Sequence, residues 1–208
     1  MVNRQFMDIL DEEKIIGILR GFKAEKTRKL IEIYRKEGIK FIEVTYNSTQ
    51  ALKIVSEYAD KSDLYIGMGT VKNLDELEKA LESGAQFIVT PNYNSEVVKT
   101  AKKRGIPIIS GAYTPSEIYD AYQDGADAVK LFPASAAGPD YLKSIRGPIP
   151  EVKIIPTGGI DEDNINDFLA VGAFAFGIGG GLVDKESVKN EDWEKEREKV
   201  RKIIKKIK

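Results

Sequence analysis

Two residues of opposite charge stand inside short apolar segments of this sequence, where ionised side chains are uncommon. Lys130 lies in "DAVKLFPAS" and Glu43 lies in "FIEVTY", and both segments read as apolar strands bounded by turn residues. Burial of an ammonium group without a partner is costly. Because the side chains of a strand alternate between its two faces, we expect Lys130 and Glu43 to point inward while their apolar neighbours face helices.

A lysine and a glutamate in a dry site can carry out carbonyl chemistry. Burial lowers the pKa of a lysine from about 10.4, because the charged form loses its hydration. The neutral amine can attack a ketone and form a Schiff base, which then draws electrons from an adjacent carbon–carbon bond. A carboxylate such as Glu43 can move the protons, directly or through water. The pair therefore predicts aldolase chemistry; the alternative is a structural ion pair.

The composition excludes several other kinds of active site. The 208 residues include no cysteine and no histidine, which rules out disulfides, thiolate metal sites and Ser-His or Cys-His nucleophiles. We therefore expect proton transfer by carboxylates, lysines, tyrosines or water, with no cofactor and no metal.

Charge and hydropathy narrow the range of partners. The formal net charge is −1, no apolar run reaches the length of a membrane span, and the N-terminus lacks the pattern of a signal peptide. We expect a cytoplasmic protein that binds small molecules and neither nucleic acid nor membranes.

Two glycine-rich segments near the end of the chain predict a phosphate site. "PTGGI" contains Gly158 and Gly159, and "GIGGG" contains Gly179 and Gly180. Glycines allow backbone N–H groups to approach phosphate oxygens closely. The alternative is that both segments are tight turns that bind nothing.

A repeated unit positions these residues. Five times, an amphipathic helical segment ends in glycine and an apolar strand follows, as at Gly38 and Gly125. Thr114 and Asp161 are predicted to cap the helices that follow them. Eight strands are expected, beginning near Ile15, Lys40, Leu64, Phe87, Ile106, Ala128, Lys153 and Phe174.

Alternation of eight strands with helices predicts one α/β domain over residues 1–208, a parallel eight-stranded (β/α)₈ TIM barrel. Extra helices are expected at the N-terminus and at the C-terminus, where the apolar residues from Trp193 to Ile207 should face the body. An open doubly wound sheet is the alternative fold. In a barrel, the phosphate-binding glycines would follow strands seven and eight, where such sites are common.

The sequence resembles the 2-keto-3-deoxy-6-phosphogluconate / 4-hydroxy-2-oxoglutarate aldolase family, which includes 6-phosphogalactonate enzymes. The resemblance is carried by "FIEVT", "IGMGTV", "FIVTPN", "VKLFPAS", "GPDYLKSIRGP" and "IPTGGI", and it covers nearly the whole chain. It implies a class I aldolase, usually a homotrimer. The implied reaction is cleavage of a phosphorylated keto acid of the gluconate or galactonate type to pyruvate and glyceraldehyde 3-phosphate. The unphosphorylated 4-hydroxy-2-oxoglutarate, which yields glyoxylate with pyruvate, is a further candidate substrate.

The resemblance also implies roles for individual residues. Lys130 corresponds to the Schiff-base lysine and Glu43 to the proton-transferring glutamate, whereas Gly158, Gly159, Gly179 and Gly180 correspond to the phosphate loops. The implied substrate-binding residues are Arg20, Asn47, Thr70, Pro91, Phe132 and Thr157.

Two of the departures from the usual family pattern fall on candidate site residues. Asn47 stands where gluconate-type enzymes often carry arginine, which favours the galactonate branch, and Gly180 stands where many members have serine. These differences leave the stereochemistry of the substrate open. Two other functions stay open as well: a phosphate-binding isomerase or epimerase that uses carboxylates, and a barrel without catalytic activity.

Overall fold

The computed structural model describes residues 2–207, with side chains from residue 5 onward. Within these residues the chain forms eight strands: β1 Ile15–Leu19, β2 Phe41–Thr45, β3 Tyr65–Gly69, β4 Phe87–Val89, β5 Ile108–Ala112, β6 Ala128–Leu131, β7 Ile154–Pro156 and β8 Phe176–Ile178. The helices are α1 Val2–Glu13, α2 Ala24–Lys36, α3 Ala51–Tyr58, α4 Leu74–Glu82, α5 Ser95–Lys103, α6 Pro115–Gln123, α7 Ala134–Arg146, α8 Ile165–Ala170, α9 Lys185–Asn190 and α10 Trp193–Ile207.

The strands form one parallel sheet that curves into a nearly closed barrel. Their order is β7-β6-β5-β4-β3-β2-β1-β8, and a parallel bridge between Thr157 and Gly177 brings the two edges together. The predicted (β/α)₈ barrel is confirmed, with α1 before the first strand and α10 at the end. Every predicted strand start lies within two residues of the observed one. None of the helices between residues 2 and 207 is long and apolar enough to span a lipid bilayer.

The ends of the helices follow the local sequence signals in most cases. Gly38 and Gly125 have φ values of 93° and 96°, the left-handed conformation that stops a helix and that glycine adopts at little cost. Thr114 and Glu117 form the expected capping box at the start of α6. The prediction for Asp161 was wrong: α8 begins at Ile165, because residues 161–164 form a separate turn in which Asp161 accepts a bond from the N–H of Asp163.

The apolar side chains form two separate cores. The larger core lies between the helices and the outer face of the barrel, and the smaller one fills the barrel interior. In the smaller core α1 closes the N-terminal end of the barrel: the ring of Phe6 lies 5.1 Å from that of Phe41 and 5.3 Å from that of Phe87. With this end filled, the carboxyl ends of the strands are left to form a site.

The C-terminal helix α10 docks as its sequence pattern predicts. Val200 and Ile203 are buried in the larger core, and Trp193, Ile204 and Ile207 pack against it with part of their surface exposed. This helix also contacts α2 and α9, so it covers the outside of the barrel next to β1 and β8.

Candidate active site

Glu43 and Lys130 lie on opposite sides of the barrel interior. Glu43 on β2 pairs in register with Ile18 and Gly67, and Lys130 on β6 pairs with Gly111. Four steps around an eight-stranded barrel separate β2 from β6, so their inward side chains face each other. Each residue is only 1% exposed. The structure therefore confirms the predicted inward orientation and places two buried ionisable groups in one space.

Burial and mutual attraction set the ionisation of this pair. Loss of hydration lowers the pKa of the Lys130 amine, and the charge of Arg20 lowers it further against an opposing effect of Glu43. Burial raises the pKa of the Glu43 carboxyl, against the attraction of Lys130 and Arg20. Burial is the largest cause of both shifts, so the neutral forms of the amine and the acid are favoured more strongly in the site than in water. Nucleophilic attack requires the neutral amine, and proton donation requires the neutral acid.

A glycine on the neighbouring strand β3, Gly69, makes room for the carboxyl group. A Cβ atom at Gly69 would overlap Glu43 Oε1 and would lie 2.5 Å from its Cγ atom. The Glu43 Oε1 atom has no hydrogen-bond partner among the described residues. The carboxyl group thus occupies space that any larger residue at position 69 would take, and one of its buried oxygens has no hydrogen-bond partner within the described residues.

A cavity of about 180 Å³ opens beside the pair at the carboxyl ends of the strands. It brings together most of the predicted binding residues, since its lining consists of Ile18, Arg20, Phe132, Thr157, Gly158, Gly159, Ile160, Gly179 and Gly180. The centroid of the Phe132 ring lies 5.0 Å from Lys130 Nζ, so the amine contacts a residue of the cavity lining although it does not line the cavity itself.

Thr70 and Arg20 form a contact near the acidic residue. Arg20 Nη2 donates to Thr70 Oγ1 at 3.4 Å. Thr70 has a φ of 59°, a left-handed conformation that is rare and strained for a β-branched residue. The backbone after β3 therefore holds the Thr70 hydroxyl in an unusual position, where it contacts the guanidinium group that influences both Glu43 and Lys130.

Five predicted site residues do not line this cavity: Glu43, Lys130, Thr70, Asn47 and Pro91. Asn47 is exposed, and Pro91 is half-buried. The backbone of Pro91 packs tightly against Gly111, the β5 residue that pairs with Lys130, so that a Cβ at Gly111 would lie 2.6 Å from the carbonyl oxygen of Pro91. Pro91 is therefore connected to Lys130 by Gly111, which packs against Pro91 and pairs with Lys130. Asn47, in contrast, lies at the surface after β2.

Ser48 belongs to the site region although the sequence did not single it out. Its hydroxyl lies 2.8 Å from Thr45 Oγ1, and it accepts a bond from the N–H of Gly21 at 3.1 Å. These bonds tie the segment after β2 to the segment that carries Arg20. The spacing of two hydroxyl residues in "TYNS" is the available signal, but the partner at Gly21 is known only from the fold.

The glycines after β7 and β8 differ in what they require. Gly158 and Gly159 have φ values of 89° and 78°, and a Cβ at Gly158 would lie 3.0 Å from the Phe132 ring. Only glycine fits this turn without strain. In contrast, a Cβ at Gly180 would meet nothing within 4 Å. Position 180 has room for a side chain, and its glycine leaves the backbone uncovered beside the cavity.

The residues that the structure describes contain no cluster of three or more His, Cys, Asp or Glu side chains suited to a metal ion. The groups available for chemistry in the cavity region are thus the amine, the carboxyl group, the guanidinium group, hydroxyl groups and backbone N–H groups.

Comparisons with known proteins give matches over most of the chain. Residues 6–199 match the family model described as KDPG and KHG aldolase. A 2-dehydro-3-deoxy-phosphogluconate aldolase of Haemophilus influenzae is 33% identical over 203 residues, which cover 97% of this chain and 96% of that protein. A 2-dehydro-3-deoxy-6-phosphogalactonate aldolase of Escherichia coli is 32% identical, with 81% of this chain and 83% of that protein covered.

A solved structure shows the same fold. The KDPG aldolase from Legionella pneumophila, with pyruvate captured at low pH as a covalent carbinolamine intermediate, superposes with a TM-score of 0.86. It is 29% identical in sequence, and the match covers 94% of this chain and 96% of that one.

Proposed function

The chain belongs to the KDPG and KHG aldolase family, and from this premise we propose that it cleaves a 2-keto-3-deoxy-6-phospho sugar acid to pyruvate and glyceraldehyde 3-phosphate. The proposed reaction is that of a class I aldolase, in which an imine forms at Lys130. The observation that carries the proposal is a lysine only 1% exposed, facing a glutamate that is equally buried, next to a cavity at the carboxyl ends of the strands.

Lys130 is the proposed nucleophile. Its neutral amine attacks the C2 ketone of the substrate to give a carbinolamine, and loss of water gives the protonated imine. The bond between C3 and C4 then breaks: its electron pair moves toward the imine nitrogen, and the C4 hydroxyl loses its proton as it becomes the aldehyde. Protonation of the resulting enamine at C3 and hydrolysis of the imine release pyruvate and restore the amine.

Glu43 is the proposed proton carrier in these steps. Burial raises its pKa, which favours the protonated acid that a proton donor needs, whereas the charges of Lys130 and Arg20 favour the carboxylate that a base needs. The carbinolamine hydroxyl needs a proton to leave as water, and the C4 hydroxyl needs a base. One carboxyl group can serve both steps, directly or through water, because the proton that it donates in one step returns in the other.

The remaining site residues are proposed to bind the keto-acid end of the substrate. Arg20 supplies the cation for the carboxylate, and Thr70, to which it is bonded, supplies a hydroxyl group. Phe132 and Thr157 would enclose the imine from the cavity side, and Pro91 would limit the pocket beside β5.

Asn47 is proposed to contribute to the choice between substrate epimers. Its position at the surface after β2 supports contact with the hydroxyl-bearing middle of a bound chain more than contact with the imine.

The four glycines after β7 and β8 are proposed to bind the phosphate group. Gly158, Gly159, Gly179 and Gly180 all line the cavity. Gly158 and Gly159 have left-handed backbone conformations, and the backbone N–H groups of such turns form concave anion sites. The cavity joins these glycines to Arg20, so one extended substrate can reach the glycines with its phosphate and the arginine with its carboxylate.

The resemblance extends the proposal to a homotrimer located in the cytoplasm. Light scattering on the purified protein would measure the assembly: a mass of about three chains of 23.2 kDa supports the trimer, and the mass of one or two chains contradicts it.

The test of the proposed function is the release of pyruvate from the two epimeric phosphorylated acids and from 4-hydroxy-2-oxoglutarate, followed with lactate dehydrogenase. We expect turnover of at least one phosphorylated acid, and the ratio of kcat/KM values assigns the gluconate or galactonate type. Conversion of a phosphorylated sugar acid without pyruvate release would instead support an isomerase or epimerase.

A further inference from the structure

The loop that follows β8, residues 179–184, is held at both ends by side chains of α10. Lys199 Nζ donates to the carbonyl oxygen of Val183 at 3.1 Å and to that of Gly180 at 3.4 Å. At the end of the loop, the N–H of Asp184 donates to Glu196 Oε2 at 2.9 Å. We call this segment the β8 loop. Since it contains Gly179 and Gly180 of the cavity lining, α10 is connected to the site without touching it.

The helix that makes these contacts is itself fixed to the barrel. Glu37, just after α2, accepts bonds from Arg197 Nη1 at 2.7 Å and from Arg201 Nε at 2.7 Å. These bonds to arginine lower the pKa of the Glu37 carboxyl, so it is ionised at neutral pH. Charge-assisted bonds of this kind are stronger than neutral ones. Together with the buried face of α10, they give the β8 loop a rigid support.

Glu196 is an unusual residue for the packed face of a helix. It is fully buried, and its Oε1 atom has no hydrogen-bond partner among the described residues. A buried carboxyl group with one N–H partner is a poor source of stability compared with an apolar side chain. Packing alone is therefore a weak reason for its presence.

The groups around Glu196 come from three helices and make its charge sensitive to pH. Asp184 at the start of α9 presents both an N–H and a carboxylate, Lys199 lies one turn along α10, and the buried hydroxyl of Tyr34 lies on α2. Burial raises the pKa of Glu196 to about 7, against the opposing effects of the Asp184 N–H and Lys199. Its ionisation thus changes near neutral pH.

We propose that Glu196 and Lys199 are positioning residues that hold the β8 loop in the shape that binds the phosphate end of the substrate. The inference rests on the proposed function. A peptide group is planar and trans, so a Gly180 carbonyl directed at Lys199 turns the N–H of the next residue away from α10. Ionised Glu196 accepts the Asp184 N–H more strongly than the neutral acid does. Binding of the phosphate end should therefore tighten as Glu196 loses its proton.

The test compares Lys199→Met and Glu196→Gln with the wild type on two substrates, the preferred phosphorylated acid and 4-hydroxy-2-oxoglutarate. Lys199→Met should raise KM for the phosphorylated acid about tenfold, with kcat changed less than twofold and KM for the unphosphorylated acid unchanged. Lys202→Met is the matched control, because Lys202 lies exposed on the same helix. It should behave as the wild type.

Glu196→Gln keeps the shape and an acceptor oxygen, so it should fold even if Lys199→Met does not. Between pH 6 and 8, KM for the phosphorylated acid should fall more in the wild type than in Glu196→Gln. Titration of the substrate phosphate affects both proteins equally, so it does not contribute to this difference. Equal pH profiles, or equal changes in KM for both substrates, would overturn the inference. If the wild type shows no preference for the phosphorylated acid, the proposed phosphate site is contradicted, and the inference is contradicted as well.

Discussion

Replacement of Gly69 by alanine should impair catalysis by displacing Glu43. The new methyl carbon would lie 2.5 Å from Glu43 Cγ, whereas ordinary contact begins at 3.4 Å. The Cγ atom must therefore move by about 1 Å, and the carboxyl group by at least as much because the new carbon overlaps it more closely. A displacement of about 1 Å in a catalytic group costs about a hundredfold in rate, or about 2.7 kcal/mol. We expect kcat of Gly69→Ala to fall about a hundredfold.

Gly67→Ala is the matched control for this variant. Gly67 lies two residues earlier on β3 and pairs in register with Glu43, but the nearest atoms to its added Cβ belong to the ring of Phe87 in the interior core, at 2.5 Å. Overpacking of either kind should destabilise the fold by about 1–3 kcal/mol. Urea unfolding measures stability, and pyruvate release measures kcat. If both variants lose the same fraction of kcat, or if Gly69→Ala keeps kcat within threefold of the wild type, the argument from Glu43 geometry is refuted.

Three further predictions address the charges and the cores. Arg20→Met removes a cation that lowers the pKa of Lys130, so the pH midpoint for imine formation with pyruvate should move upward; an unchanged or lower midpoint would contradict this. Folding raises the pKa of the Glu196 carboxyl from 4.5 to about 7, so the free energy of unfolding of the wild type falls as pH rises through that range. Glu196→Gln has no such ionisation, and it should be more stable than the wild type by at most about 3 kcal/mol above pH 7. This difference in stability should vanish below pH 4.5. Urea unfolding at several pH values measures it, and a difference that stays constant with pH would contradict the prediction. Phe6→Ala should cost about 3–5 kcal/mol by removing the ring that closes the barrel, whereas Tyr119→Ala on the exposed face of α6 should change stability by less than about 0.5 kcal/mol; similar losses would show that α1 does not close the core.

Local rules were sufficient for the fold and for the central pair. Strand alternation placed Glu43 and Lys130 inward, because each has apolar neighbours on both sides that must face the helices. The glycine found at the end of five helical segments marked where the chain turns into a strand, and the count of eight strands predicted the barrel. These features depend on neighbours a few residues away, which a sequence displays directly.

Features that depend on distant contacts could not be predicted in this way. The role of Gly69 depends on a carboxyl group from another strand, and that of Ser48 on a bond to Gly21. Asp161 illustrates the opposite error, since a residue suited to cap a helix stabilises a turn before the helix begins. Such cases require the three-dimensional structure, because alternative partners of the same polar group look equally good in the sequence.

Glu196 is a case in which a signal was present but was not used. Its spacing from Trp193, Val200, Ile203 and Ile207 is three or four residues at each step, which places a carboxyl group on the apolar face of α10. A charged residue inside such a stripe indicates a specific partner, and here the partner is the N–H of Asp184. The sequence alone shows the anomaly, and the fold shows its connection to the β8 loop.

The central claim is that a shielded amine at position 130 forms an imine with the keto acid. The most direct measurement is treatment of the protein with pyruvate and borohydride, followed by peptide mapping by mass spectrometry, with Lys130→Met as the control. The account predicts one reduced three-carbon unit per chain, on Lys130, and none in the variant. Absence of the adduct, or its presence on an exposed lysine in both proteins, would contradict the account.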